Sequence, residues 1–299
     1  VYDICSDMSF LPFSVATQAK INLGLRVLGR RSDGFHSIES IFVAIDLHDV
    51  LHVEPSPSIA VNCVPEVTLR PEHNIVYRAC QFYAERFPDD NCGAKITVEK
   101  RIPTGAGLGG GSGDAATALL AMAAINGRAH TPELMDLLEP LAAACGSDVP
   151  FFLRSGVALV TGRGEYVKPL ACDFPWTILV VCPGIHVNTA KAYSTLGITG
   201  EEPSPGLDAK LFQAIESKVV KAEFFKNDFE RAVFPQFPVL SEIRQRIMNT
   251  GAVFASMSGS GSSIYGLFST REDAVSASAD LADLAPYLCE PCTAPYRRL

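Results

Sequence analysis

Apolar and polar residues alternate through Phe13–Gly29, where Val, Ile and Leu are prominent, and again through Ile38–Val53. That two-residue period predicts two strands, with Arg30-Arg31-Ser32-Asp33-Gly34 as the turn between them. The period changes at Asn74–Arg86, where Ile75, Ala79, Phe82 and Tyr83 fall on one face of a predicted helix. Ala94–Lys100 returns to strand and runs into a glycine-dense segment. Helices are then expected at about Ser112–Ile125 and Pro132–Cys145. Thr131-Pro132 suits the start of the second, because proline is tolerated in a first helical turn. Short strands at Val157–Thr161 and Tyr166–Pro169 close a first half.

The second half opens on an apolar strand, Thr177–Cys182, followed by helices near Thr189–Leu196, Asp208–Glu216 and Val239–Thr250. Strand Ala252–Met257, turn Ser258–Ser262, strand Ser263–Phe268, helix Glu272–Leu284 and a strand near Leu288–Tyr296 complete it. Strands interleaved with helices in this order predict an α+β, two-layer α/β architecture. The expected domains are residues 1–173 and 174–299. Gly197–Leu207, carrying Glu201-Glu202-Pro203-Ser204-Pro205-Gly206, reads as a surface loop.

Composition narrows the class. A chain of 299 residues with 47% hydrophobic and 19% charged residues has the makings of a globular enzyme and excludes a disordered or fibrous one. The formal charge of -8 supplies no basic face for a nucleic-acid backbone, although a glycine loop and a few lysines can still hold a small anion. Nine cysteines, with no secretory signal and scattered spacing, read as reduced thiols. Cys289 and Cys292 form a C-x-x-C without the second pair that zinc needs. No apolar run reaches the roughly 18 residues that span a bilayer. The bacterial cytosol is the default location. The irregular start Val1–Leu11, without an initiating Met, leaves room for a trimmed targeting segment and hence a plastid location in a eukaryote.

The most informative stretch is Pro103–Ala115, PTGAGLGGGSGDA, with six glycines between positions 105 and 113. Glycines let the backbone approach a ligand, and the helix start beyond them offers unpaired N–H groups at the positive end of the helix dipole. Such a junction binds phosphate. Gly105, Gly107 and Gly110 satisfy G-x-G-x-x-G, but the expected second strand is replaced by the helical Thr131–Cys145. A Walker loop is excluded because Gly110-Gly111-Ser112 lacks the lysine, and no H-R-D or D-F-G supports a protein kinase. What remains is a Pro-x-x-x-Gly-Leu-Gly loop with Ser112 as the expected N-cap.

Phosphoryl transfer also needs a group to orient and deprotonate an acceptor hydroxyl. Asp148, in the turn Gly146-Ser147-Asp148-Val149-Pro150 before the strand-like Phe151-Phe152-Leu153, is the candidate, with an ordinary turn aspartate as the alternative. Lys20 stands in the apolar Ala19-Lys20-Ile21-Asn22-Leu23, where burial costs it desolvation unless it snorkels outward or meets an anion such as Asp148 or a phosphate.

These segments, together with Gly29–His36 and Ser258-Gly259-Ser260-Gly261, resemble the GHMP small-molecule kinases from about residue 14 to 296. The Lys-x-Asn and Arg-x-Asp-Gly-aromatic-His segments are similar to those of members that phosphorylate a cytidine-bearing polyol diphosphate for isoprenoid synthesis. The resemblance implies an N-terminal ribosomal-S5-like domain and a C-terminal ferredoxin-like domain, with ATP and Mg²⁺ as co-substrate and metal. It gives Asp148 the acceptor-activating role, assisted by Lys20. Asn74, Lys100, Pro103, Gly105, Gly107, Leu108, Gly109, Gly110, Gly111 and Ser112 match positions around ATP. Asn22 and Thr189 match substrate contacts, Phe35 and Tyr193 the aromatic pair around cytosine, and His36 the residue reading its edge. Gly162–Gly164 matches a turn facing cytosine, with Arg163 at its centre. One departure is Gly113, where members carry a second serine, followed by Asp114; no metal ligand is assigned. The expected partner is the small molecule alone, with no nucleic acid or membrane, and a monomer or weak homodimer. Another GHMP kinase, of homoserine or mevalonate type, is the alternative. A nucleotide-binding regulator without catalysis is a more distant one.

Overall fold

The computed structural model describes residues 11–67, 70–90, 93–154, 156–200 and 202–299. Most of the expected irregular start, and Glu201 of the expected surface loop, lie outside them. Two long strands, β1 (Phe13–Arg30) and β2 (His36–Ser56), form the antiparallel spine that the alternation predicts. Beyond them β3 (Ala60–Val64) runs parallel to β4 (Gly93–Glu99). Strand β2 serves two neighbours: its second half pairs β4, and its first half pairs β5 (Val157–Gly162), which pairs β6 (Tyr166–Pro169). A second, antiparallel sheet holds β7 (Thr177–Val181), β8 (Phe254–Met257), β9 (Ile264–Phe268) and β10 (Tyr287–Cys289) in the order β10-β7-β9-β8.

Four helices, α1 (Ile75–Arg86), α2 (Gly110–Ile125), α3 (Pro132–Cys145) and the single turn α4 (Phe151–Arg154), pack on one face of the first sheet. Helix α2 is buried on nearly every side, and its alanines let α1 and the sheet approach closely. The sheet's other face meets the second sheet, where Ile21, Leu23 and Ile41 pack with Ile178, Val180 and Leu267. The chain continues through α5 (Thr189–Leu196), α6 (Leu207–Ser217), α7 (Glu230–Val233), α8 (Pro238–Asn249) and α9 (Arg271–Asp280). Of these, α8 and α9 cover the outer face of the second sheet.

Several expectations need correction. Helix α2 starts two residues before Ser112: its N-cap is Gly109, with φ of 74°, and no side chain caps it. A left-handed glycine turns the chain into the helix directly, so Ser112 falls in the first turn. Phe151-Phe152-Leu153 is a buried helical turn, not a strand, because the core around α2 buries both phenyl rings and the Leu153 side chain together. The buried face of α1 is Val76, Ala79, Cys80 and Tyr83, with Ile75 and Phe82 at its margin. The single strand expected near Leu288–Tyr296 is two: β10 stays in the second sheet, and β11 (Tyr296–Arg298) pairs with β1. The tail thereby crosses the boundary expected at residue 173. Strand β3 and helix α7 were not anticipated.

The β1–β2 ladder slips between Gln18 and Ala19, where the partner register jumps from His48 to Ile45. Phe13 and Val15 belong to the core under the helices, whereas Ala19, Ile21 and Leu23 belong to the core between the sheets. Side chains one residue apart face opposite sides of a sheet, so this irregularity is what turns Lys20 toward the helices and the glycine loop.

Candidate active site

Lys20 is buried, and its ammonium is fully engaged. Nζ donates to Asn22 Oδ1 at 2.7 Å and to the Gly107 carbonyl at 3.1 Å, and lies 3.4 Å from Asp148 Oδ2. It also sits 4.7 Å from the centre of the Phe42 ring. Burial pulls the Lys20 pKa below its ordinary value, with the Asp148 charge and hydrogen bond opposing. Asp148 keeps 32% of its side chain exposed, so it is the member of the pair that a substrate can reach. Its turn follows α3, as expected, and the β5–β6 turn packs beside it, with Gly164 against Ser147.

Asn22, expected to contact substrate, is 1% exposed, and its amide is spent inside the protein. Nδ2 donates to Ser40 Oγ at 3.0 Å, and Ser40 Oγ donates to the Gly24 carbonyl at 2.6 Å. Asn22 therefore orients Lys20.

The glycine loop is held from the C-terminal half. Ser258 Oγ donates to the Gly107 carbonyl at 2.9 Å, and a Cβ at Gly107, whose φ is +81°, would lie 2.2 Å from the Ser258 carbonyl oxygen. Only glycine fits there. Asn227 fixes the opposing turn by donating to the carbonyls of Met257 and Gly259 at 2.7 and 2.8 Å. The Ser258–Gly261 segment was legible as a motif; Ser40 and Asn227 carried no sequence signal.

A cavity of about 540 Å³ opens over the loop and is lined by Asn74, Lys100, Pro103, Gly105, Gly107–Ser112, Asp114, Asp148 and Thr189. All ten residues expected around ATP are thus brought together. Two of them turn their polar groups inward. Asn74 caps α1, accepting from the Val76 N–H and donating to Cys63 Sγ. Lys100 binds Asp49 and, at 2.7 Å, Asp114.

A second cavity, of about 690 Å³, is lined by Arg30, Phe35, His36, Arg163, Thr189 and Tyr193, among others. The ring lying against Tyr193 is that of His36, with centroids 4.7 Å apart and planes 13° from parallel. Phe229 meets Tyr193 edge-on, and burial, then the Asp148 charge, pushes the Tyr193 hydroxyl up to about 12. Phe35 is 51% exposed, with the Arg163 guanidinium 5.0 Å from its ring centre. Burial, then the Arg30 charge, lowers the His36 pKa and favours the neutral ring.

A narrower space of about 210 Å³ joins the two. It shares Gly107, Gly109, Asp148 and Thr189 with the first and Arg163, Thr189 and Tyr193 with the second, and Lys20 and Asn22 form its floor. The Thr189 and Ser260 hydroxyls, 2.8 Å apart, close its side. The result is one cleft running from the glycine loop past the Lys20–Asp148 pair to the aromatic pocket. Away from it, burial raises the thiols of Cys289 and Cys292, making them poor nucleophiles. Among the described residues, no helix is long and apolar enough to cross a membrane.

The comparisons with known proteins agree with this geometry. Residues 74–156 match the GHMP kinases N terminal domain and residues 212–286 the GHMP kinases C terminal domain. A 4-diphosphocytidyl-2-C-methyl-D-erythritol kinase of Chlorobium limicola is 39% identical over 88% of this chain and 91% of its own length. One from Solibacter usitatus is 42% identical over 85% and 80%. A crystal structure of 4-(cytidine 5'-diphospho)-2C-methyl-D-erythritol kinase superposes with a TM-score of 0.77 at 35% identity, covering 92% of this chain and 98% of the other. The homoserine kinase of Cytophaga hutchinsonii, at 17% identity and a TM-score of 0.71 over 96% and 97% of the two chains, shares the fold. The chain belongs to the GHMP kinases and, among them, to the 4-diphosphocytidyl-2-C-methyl-D-erythritol kinases.

Proposed function

We propose that the chain transfers the γ-phosphoryl group of ATP to the 2-hydroxyl of 4-diphosphocytidyl-2-C-methyl-D-erythritol in the non-mevalonate route to isoprenoid precursors. The observation that carries the reading is the Lys20–Asp148 pair in the passage between the phosphate loop and the aromatic pocket. ATP lies in the first cavity, its phosphates against the glycine-loop amides and the start of α2. The cytidine end occupies the second. Entry of a base between Phe35 and Tyr193 requires the His36 ring to rotate off Tyr193, which turns it from a stacking partner into a reader of the base edge.

The acceptor oxygen attacks the γ-phosphorus as the bond to the β-phosphate oxygen breaks, releasing ADP, and Asp148 takes the hydroxyl proton. The buried Lys20 ammonium holds Asp148 in place and offsets the charge that gathers between carboxylate and phosphoryl group. Positioning dominates over proton affinity here, because an aspartate is a weak base at neutral pH. Mg²⁺ accompanies the triphosphate. Among the described residues no group of three or more His, Cys, Asp or Glu could hold an ion, so no residue is assigned as its ligand. The cleft is complete within one chain, in keeping with a monomer or weak homodimer, and the cytosol is the proposed compartment.

Asp148→Asn tests the assignment. Steady-state kinetics are expected to show kcat lower by about two to four orders of magnitude, with ATP affinity little changed. Loss of ATP binding with kcat preserved would contradict the role.

A further inference from the structure

Beneath the glycine loop lies a set of charges that the reaction does not use. Asp49 on β2 is fully buried, Asp114 in the second turn of α2 is 2% exposed, and Lys100 at the end of β4 lies between them. The two carboxylates are not equivalent. Asp49 accepts from Lys100 and also from the backbone N–H groups of Arg101 and Ile102, at 2.5 and 2.8 Å. Asp114 accepts from Lys100 through Oδ2 at 2.7 Å, while its buried Oδ1 has no hydrogen-bond partner. Asp49 thus grips the strand exit that leads into the loop, and Lys100 carries that grip to the helix on which the loop ends.

We propose that Asp49, Lys100 and Asp114 form a brace that fixes the phosphate loop at both ends and thereby sets ATP affinity, with Asp49 as the anion and Asp114 as a neutral carboxylic acid. Two buried carboxylates on one ammonium leave an excess negative charge unless one is protonated, and the proton belongs on the carboxyl with the fewest donors. A hydroxyl on Asp114 also gives its side chain a donor to share with Asp49. Burial pushes the Asp114 carboxyl upward, Lys100 opposes this, and Asp49 adds to it. Burial disfavours the Lys100 charge, but Asp114 and Asp49 outweigh it and hold the ammonium protonated. Cys63 on β3 also interacts with all three charges, and burial pushes its thiol up.

The brace acts through the loop, so its members are positioning residues, and the proposal rests on ATP occupying the cavity above it. In the full chain, Asp114→Ala is expected to raise KM for ATP by about tenfold while KM for the cytidine-bearing alcohol changes less than about threefold. Asp114→Asn, which keeps a neutral hydrogen-bonding side chain, recovers most of that loss. Lys100→Arg against Lys100→Met repeats the comparison from the centre of the brace. The parent-minus-Asp114→Asn infrared difference spectrum at about pH 6 is expected to contain a carboxylic acid carbonyl band. That band does not depend on any substrate, so failure of the brace and failure of the kinase reading are told apart. Absence of the band, equal damage from Asp114→Asn and Asp114→Ala, or parallel rises in both KM values would overturn the proposal.

Discussion

The two residues proposed to carry the chemistry, Lys20 and Asp148, are each set by what they touch. Lys20 keeps its charge in a buried site because two oxygens accept from it and the Asp148 carboxylate lies beside it. At the other end of the cleft, Phe35 is half exposed and backed by Arg163, a flat surface for a base. Stacking contributes about 1–3 kcal/mol per base. Phe35→Ala is therefore expected to raise KM for the cytidine-bearing alcohol by about tenfold and to leave KM for ATP within about twofold. Equal effects on both substrates would place the base elsewhere. The Asp114 carboxyl, pushed up to about 7, makes stability depend on pH in a known direction. A carboxyl raised in the folded state favours folding fully below its ordinary value near 4, and that contribution is lost as pH rises through about 7. Urea denaturation between pH 4 and 8 should show the stability of the wild type falling relative to Asp114→Asn as pH rises; a parallel pair of curves would place the charge differently.

At the scale of elements, the site is a junction between the glycine loop of the first half and the Ser258 turn of the second. Gly107→Ala puts a methyl group against the Ser258 carbonyl in a left-handed backbone. It is expected to cost about 1–3 kcal/mol of stability and to weaken ATP binding, read by thermal unfolding and by KM for ATP. Unchanged values in both would mean that the two segments do not bear on one another. The loop, Lys20 and Asp148 were legible in the sequence because each is local: a run of glycines, a charge in an apolar strand, an aspartate in a short turn. The Phe35–Tyr193 pair came only through the family resemblance, because its members lie on distant segments, and the ring found against Tyr193 is that of His36. The irregularity at Gln18/Ala19 that aims Lys20 was not legible, since a slip in pairing depends on the partner strand. The start of α2 was read two residues late because a serine is the commoner cap, and here a left-handed glycine takes its place. Phe151–Leu153 read as a strand because a three-residue apolar run has no period to distinguish a buried turn from an extended one.

Across the whole molecule, the two halves are joined by more than a linker. Sheets pack face to face over Ile21, Leu23 and Ile41, and the tail returns to pair Tyr296 with Thr17. That return was invisible in the pattern, because β11 is only three residues long and its partner is nearly the whole chain away. The longer strands, their order along the chain and the two-layer α+β class were legible; sheet membership and contacts between distant segments were not. The central claim is that one cleft places an ATP γ-phosphate beside the hydroxyl of a cytidine-bearing alcohol at Lys20 and Asp148. The most direct measurement is ATP turnover by the purified chain with 4-diphosphocytidyl-2-C-methyl-D-erythritol, mevalonate and homoserine as competing acceptors. The account requires kcat/KM to favour the cytidine-bearing acceptor by orders of magnitude, with one ADP formed per phosphorylated product. Preferred turnover of mevalonate or homoserine, or no turnover of the cytidine-bearing alcohol, would contradict it.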